Sequence, residues 1–421
     1  MDCTRACACG ERTNEACNAP TWSRSATYFA APVSIGNNSS WGITGADASA
    51  SRAWVASYTP RMDISQLRLI SADSHINEPH DLWYSRLPAD LRDRAPRRIQ
   101  QDTHGAWELV IDGQPLGWGE LSAEDAAHQE ATREAEASLD VRLEMMRVDG
   151  IAAEIIFPTI GLYVWNLEDP ALGRACCREY NDWLYEHLGN ASSRVKIAGM
   201  VPDWSVADAI EEVHRNAERG FAAHLLPIVG TPEWNHKAWE PLWDAIDETA
   251  LPVAMHQGTG HDMLWYRGPG SATANLFATQ SMAPRAVTLL AASGVLERHP
   301  SLHFVFVEVN AGWMAWTMST TDEYYQAHAH WSKPKLPELP SFYIRRQIHA
   351  TFQNDPVAIA NRAITGLAPL MWGNDYPHPE STYPRSHSVL HELLRDVTAV
   401  EATAITSGSA AAVFGFDLEI P

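Results

Sequence analysis

The sequence predicts an α/β protein built as a parallel (β/α)8 TIM barrel with an insertion after its first strand. Three observations lead there. From Leu67 onward, apolar runs of strand length alternate eight times with amphipathic runs of helix length. Each helical run is long enough to serve as the crossover that parallel neighbours require. Several of the strands also end in Asp, Glu or His, the end at which barrels of this kind carry their active sites.

The elements follow in order. Leu69-Ile70-Ser71-Ala72-Asp73-Ser74-His75 is an apolar run that turns polar, a buried strand emerging into a site. Side chains alternate along a strand, so Asp73 and His75 face the same side, about 7 Å apart along the chain. An excursion spans residues 79–138. Within it, Ala106 to Leu116 reads as a hairpin turning at Asp112-Gly113, and the Ala- and Glu-rich stretch 120–137 as an exposed helical arm. The excursion is expected to act as a lid or dimer arm rather than a domain. A helix over 139–149, broken by Gly150, then leads to the second strand at 153–158. A helix over 169–188 leads to the third at 195–202, and one over 206–219, closed by Gly220, to the fourth at 221–227. The fifth strand is expected at 252–258, the sixth at 303–310, the seventh at 347–352 and the eighth at 370–375. Helices at 239–249, 286–298, 313–325 and 356–364 separate these, and two more at 386–397 and 401–414 close the chain.

Composition bounds the function. The 421 residues are 45% hydrophobic and 20% charged, ample for the core of one large barrel. The net charge of -21 excludes nucleic acid and anionic membrane as partners, since both require basic surface. No apolar run approaches the roughly 18 residues of a membrane span. Residues 1–61 are a different material, rich in Ala, Ser, Thr, Asn and Gly, and read as a disordered or dispensable tail before a barrel over 62–421. Met62 reads as a natural start. Four of the six cysteines lie in the tail, at Cys3, Cys7, Cys9 and Cys17, without the paired spacing of a zinc ribbon. The tail has no continuous apolar segment of the secretory kind. Cys176-Cys177 lies in a helical run as two buried thiols, and nothing demands an oxidising compartment, so the expected location is the cytoplasm.

The strand ends supply Asp73 and His75, then His256, then Glu308, then Asp375 with His378 just beyond. Six metal-capable side chains at one end of one barrel suit a divalent ion better than they suit a core. His224, His299, His303 and His349 fall at strand starts or mid-strand and read as structural. After the fifth strand, the aromatic stretch His261 to Arg267 reads as a pocket wall. Trp265 and Trp313 would contact a small-molecule substrate, and Arg267 would meet an acidic one.

Asp-Ser-His-x-x-Glu-Pro, Met-His-Gln-Gly, Phe-Val-x-Val-Glu and Trp-Gly-Asn-Asp-Tyr-Pro-His resemble motifs of the amidohydrolase superfamily. The branch most similar is the amidohydrolase-related family typified by aminocarboxymuconate-semialdehyde decarboxylase, and the resemblance runs from about Leu67 to the C-terminus. It implies a metal-dependent enzyme that hydrolyses or decarboxylates a small, often aromatic or unsaturated, acid. By position, Asp73, His75, His256 and Asp375 would be metal ligands, with Asp375 also handling the proton. Two departures stand out. The first strand carries Asp-x-His where His-x-His is commoner, and the sixth ends in Glu308 where the decarboxylases carry a His. With Glu308 and His378 the donors exceed the needs of one ion. A single Zn or Mn would support hydrolysis or decarboxylation, with Glu308 or His378 as a second proton carrier. An Fe or Fe/Mn pair would support an oxygenase on the same fold. The resemblance also implies a homodimer, or a hetero-oligomer with a homologue in which this chain is a non-catalytic partner.

Overall fold

The computed structural model describes residues 66–100, 107–115, 138–260 and 266–418, all within the unit Pro60–Pro421. Eight parallel strands form one sheet: β1 (Leu69–Ile76), β5 (Ile151–Pro158), β6 (Val195–Met200), β7 (Ala223–Val229), β8 (Val253–Gly260), β9 (Phe304–Val307), β10 (Ile348–Phe352) and β11 (Leu370–Trp372), neighbours in that order. Strand follows helix throughout, so the sheet curls into a nearly closed barrel. These strands are buried along almost their whole length. Their near-continuous apolar character has that cause: helices cover the outer face while side chains fill the inner one.

The seam between β11 and β1 is made by the site residues' own backbones. Asp375 N–H donates to the Asp73 carbonyl at 2.8 Å, and His75 N–H to the Tyr376 carbonyl at 2.6 Å. β1 carries a register irregularity between Ser71 and Ser74 against β5. That irregularity frees Asp73 to lean towards β11, the usual use of a bulge beside a site. The approach is so close that a Cβ on Gly373 would lie 2.5 Å from the Asp73 Cβ, so only glycine fits there.

Local signals explain most helix ends. Asp169 caps the helix Pro170–Leu188 by accepting from the Ala171 and Leu172 amides, with Pro170 in the first turn. Ser205 caps Val206–Arg219, and Gly220, at φ 83°, ends it. The single helix expected over 286–298 is instead two, Met282–Ala292 and Val295–Arg298, broken at Gly294 with φ 80°. In the barrel, two further α-helices of eight or more residues lay outside the sequence pattern, Ser271–Gln280 and Pro340–Gln347. The first is rich in Ser, Thr and Asn, which weaken a helical signal. The second opens on a proline, which reads equally well as loop.

The described part of the insertion holds a short helix, Leu82–Arg86, and an antiparallel sheet of β2 (Arg97–Gln100), β3 (Trp107–Ile111) and β4 (Gln114–Pro115). The hairpin turns at Asp112-Gly113, with φ 51° and 72°, as the Asp-Gly pair predicts. Arg94 ties the hairpin to the barrel through Asp112 and Asp169, each at 2.7 Å. The expectations for residues 1–61 and for the arm over 120–137 lie outside the described residues. Among the described residues, no helix is long and apolar enough to cross a membrane.

Candidate metal centre

Asp73, His75, His256, Glu308 and Asp375 converge at the C-terminal mouth of the barrel and are all buried. His75 Nε2 lies at the middle. It is 3.1 Å from His256 Nε2, 3.4 Å from Asp375 Oδ1, 3.5 Å from Asp73 Oδ1 and 3.8 Å from Glu308 Oε2. His256 Nε2 is 3.4 Å from Glu308 Oε2 and 3.8 Å from Asp73 Oδ1. His378 joins from the loop after β11, its Nδ1 3.0 Å from Asp375 Oδ1 and its ring centre 3.9 Å from that of His75, the planes tilted by 30°.

Backbone geometry aims these groups. Glu308 and Asp375 sit at strand ends with φ 61° and 58°, a left-handed conformation that side chains other than glycine adopt at a cost of about 1–3 kcal/mol. The surroundings hold them there. Glu308 N–H donates to Thr351 Oγ1 at 2.7 Å, and that hydroxyl donates to Asp73 Oδ2 at 3.2 Å. One threonine thus ties the Glu308 backbone to the Asp73 carboxylate.

The imidazoles are fixed in one tautomer each. His75 Nδ1 lies 2.7 Å from the Pro158 carbonyl and His256 Nδ1 lies 2.9 Å from the Gln257 carbonyl. A carbonyl only accepts, so each Nδ1 carries the proton and each Nε2 presents a lone pair. Two lone pairs face each other across 3.1 Å, with three carboxylates around them. Among the described residues those carboxylates have no Lys or Arg partner. No hydrogen bond reaches Asp73 Oδ1 or Asp375 Oδ2. Buried acceptors without donors are costly, and a divalent cation satisfies all of them at once. The donor set fits a metal.

Charge and burial pull the site's titrations apart. Burial raises the Asp73 carboxyl, but the neighbouring His256 and His75 outweigh it and hold it below the ordinary range. Burial, then repulsion from His378, pushes His75 down to about 3, leaving it neutral. Burial, then the Asp375 and Asp73 carboxylates, raises Glu308 well above its usual value. Asp375 is pushed up to about 6, chiefly by burial. Burial opposes the charged form of His378, yet its bond to Asp375 prevails and raises it.

The donors fall into two overlapping sets, Asp73 with His75 and His256, and His75 with Glu308, Asp375 and His378. Trp313 stands at the start of the helix after β9, its indole N–H spent on the Val309 and Asn310 carbonyls. Arg267 is exposed, and Trp265 lies outside the described residues. Sequence reasoning missed the supporting groups Gln257, Thr351, Arg142, Glu78 and Thr159. Gln257 and Glu78 lie inside recognisable motifs, whereas mid-strand Thr351 carries no signal of its own. Glu78 accepts from the amides of Thr159, Ile160 and Gly161 at 3.2, 2.8 and 2.8 Å. It thereby places Thr159, whose hydroxyl lies 3.3 Å from His378 Nε2.

The amidohydrolase family model matches residues 72–416. The chain belongs to the amidohydrolase family. Membership of that family makes it an enzyme. Solved structures share the fold at low identity. An amidohydrolase from Mycobacterium avium subsp. paratuberculosis K-10 is 18% identical, with a TM-score of 0.69 over 84% of this chain and 99% of that one. A 5-carboxyvanillate decarboxylase from Novosphingobium aromaticivorans DSM 12444, solved with bound manganese, is 16% identical, with a TM-score of 0.63 over 83% and 98%. A dihydroxybenzoic acid decarboxylase from Polaromonas sp. JS666, with manganese and 2-nitroresorcinol, is 15% identical, with a TM-score of 0.57 over 83% and 97%. Comparison with curated proteins returns no significant match.

Proposed function

We propose that this enzyme removes the carboxylate of a small aromatic or unsaturated acid, non-oxidatively and with the help of a divalent metal. The observation that carries the metal is the pair of lone-pair nitrogens on His75 and His256, 3.1 Å apart among buried carboxylates. The likeness to manganese-bound decarboxylases supports the choice of reaction.

Asp73, His75, His256 and Asp375 would hold the ion. When bound it would act as a Lewis acid, orienting a substrate carboxylate and an adjacent oxygen. The protein's own part is proton handling. Asp375 can take part in proton transfer because His378 Nδ1 lies 3.0 Å from its Oδ1. Loss of carbon dioxide leaves the bonding electrons on the ring or chain carbon, and Asp375 delivers the proton that this carbon takes up. His378, 3.0 Å away, restores it. Burial of the cluster keeps water from competing for the carbanion. In hydrolysis the same Asp375 would instead take a proton from the attacking water.

A second reading has one observation in its favour. The two donor sets sharing His75 would suit a pair of ions, and with iron that would make the protein an oxygenase. The complete donor set speaks against a non-catalytic partner subunit.

Protein loaded with Mn(II) and given a panel of hydroxylated benzoic acids should release carbon dioxide without consuming oxygen. Fully loaded protein that leaves every such acid intact, or that consumes oxygen with them, would refute the reading.

A further inference from the structure

Gln257 touches the cluster twice. Its carbonyl accepts from His256 Nδ1 at 2.9 Å, and its side-chain amide nitrogen donates to Glu308 Oε1. The amide oxygen in turn lies 3.1 Å from Thr279 Oγ1, whose one proton it shares with the Leu276 carbonyl at 2.7 Å. Thr279 belongs to the helix Ser271–Gln280, one of the two that the sequence pattern did not show. Glu308 needs such a partner more than the other carboxylates do. It is buried, and the Asp375 and Asp73 carboxylates crowd it.

An amide NH2 donates only. It therefore selects the carboxyl rotamer in which Oε1 is the acceptor and engaged. Oε2 is then the oxygen left facing the two imidazoles, at 3.4 Å from His256 Nε2 and 3.8 Å from His75 Nε2. Among the described residues no other side chain donates to the Glu308 carboxylate. Without Gln257, the carboxyl would lose the one side-chain donor that fixes its rotamer.

We propose that Gln257, anchored by Thr279, is a positioning residue that presents Glu308 Oε2 to a cation in the site. The proposal rests on the metal-site reading above. It explains why this chain pairs Gln257 with Glu308: a carboxylate at the end of β9 is useful to a cation only when one of its oxygens is held.

The test is a double-mutant cycle on the full chain, read as Mn(II) affinity by equilibrium dialysis with electron paramagnetic resonance of the free ion. Gln257→Leu removes the side-chain contacts with Glu308 and Thr279 at similar size, keeps the backbone carbonyl on His256, and should weaken Mn(II) binding roughly tenfold or more, the usual loss when a supporting group of a ligand is removed. Glu308→Gln should weaken it as well. In the Glu308→Gln background, Gln257→Leu should have no further effect, because its route of action is gone. Thr279→Val should reproduce a smaller part of the loss. Additive losses, or unchanged affinity in Gln257→Leu, would overturn the proposal. Thermal melts of the metal-free variants identify any that misfold, and Thr279→Val then carries the comparison in place of Gln257→Leu. A wild-type chain that takes up no Mn(II) would instead sink the site reading, and this proposal with it.

Discussion

Arg142 sits beneath the site with its side chain 1% exposed, against a Glu154 side chain that is 3% exposed. Its Nε donates to Glu154 Oε1 at 2.8 Å, its Nη1 to the His75 carbonyl at 2.9 Å, and its guanidinium stands 5.7 Å from the Tyr376 ring centre. Arg142 is the ion-pair partner of Glu154 among the described residues. Arg142→Met keeps the volume but strands a carboxylate in the interior and leaves the His75 carbonyl one donor short. Breaking a buried pair in this way costs about 3–5 kcal/mol. Replacing both partners, Arg142→Met with Glu154→Leu, should recover most of that, since no buried charge remains uncompensated. The measurement is urea unfolding of metal-free protein followed by tryptophan fluorescence, with Mn(II) affinity read in parallel. The single variant should lose both stability and affinity, because the lost donor also held the strand segment that presents His75. A single variant within about 1 kcal/mol of wild type, or a double variant no better than the single, would refute the reasoning.

Other outcomes follow from the same geometry. His256→Ala and Asp375→Asn should each abolish turnover while the far-ultraviolet circular dichroism stays native; retained turnover would remove that residue from the site. Glu308→Gln and His378→Ala should lower bound metal from about two per chain towards one if the two donor sets hold two ions; with one ion the saturating ratio stays near one and Glu308→Gln lowers only the affinity. In metal-free protein, Asp375 holds an extra proton in the folded state between its unfolded value near 3.8 and about 6, so its contribution to stability falls as pH rises through that window. Asp375→Asn should therefore gain stability relative to wild type from pH 4 to pH 7, and a flat difference would contradict the shift. Gly373→Ala should damage both fold and metal binding, since its Cβ would meet the Asp73 Cβ at 2.5 Å; a soluble variant with normal Mn(II) affinity would show that the seam can relax.

The barrel was legible because each of its eight strands is an apolar run and each crossover a helix, a pattern that local chemistry imposes on every repeat. The six donors were legible for a different reason: Asp, Glu and His at the ends of buried strands have no apolar explanation. Their support was harder to see. Thr351 is one β-branched residue among many in strands, and its hydroxyl acquires meaning only when β10 lies beside β9 and the barrel brings the Asp73 carboxylate of β1 within its reach. Arg142 falls on a helix where an arginine ordinarily marks the solvated face, and only the tertiary fold turns it inward. The break at Gly294 and the proline-led helix Pro340–Gln347 depended on backbone conformations that several residue types permit.

One consequence joins the fold to the chemistry. The last and first strands meet through Asp375 N–H and the Asp73 carbonyl, and through His75 N–H and the Tyr376 carbonyl. Three of the proposed ligands therefore form the seam as well as the site. Their side chains gather like charge and lone pairs, which pushes the seam apart, while their backbones pull it together. A cation reverses the sign of the first effect and reinforces the second. Metal binding and closure of the seam would therefore favour each other. The positive-φ turns at Glu308 and Asp375 belong to the same balance: strain of about 1–3 kcal/mol at each is tolerable where a shared ligand, a threonine bridge and a closing hydrogen bond all require that conformation.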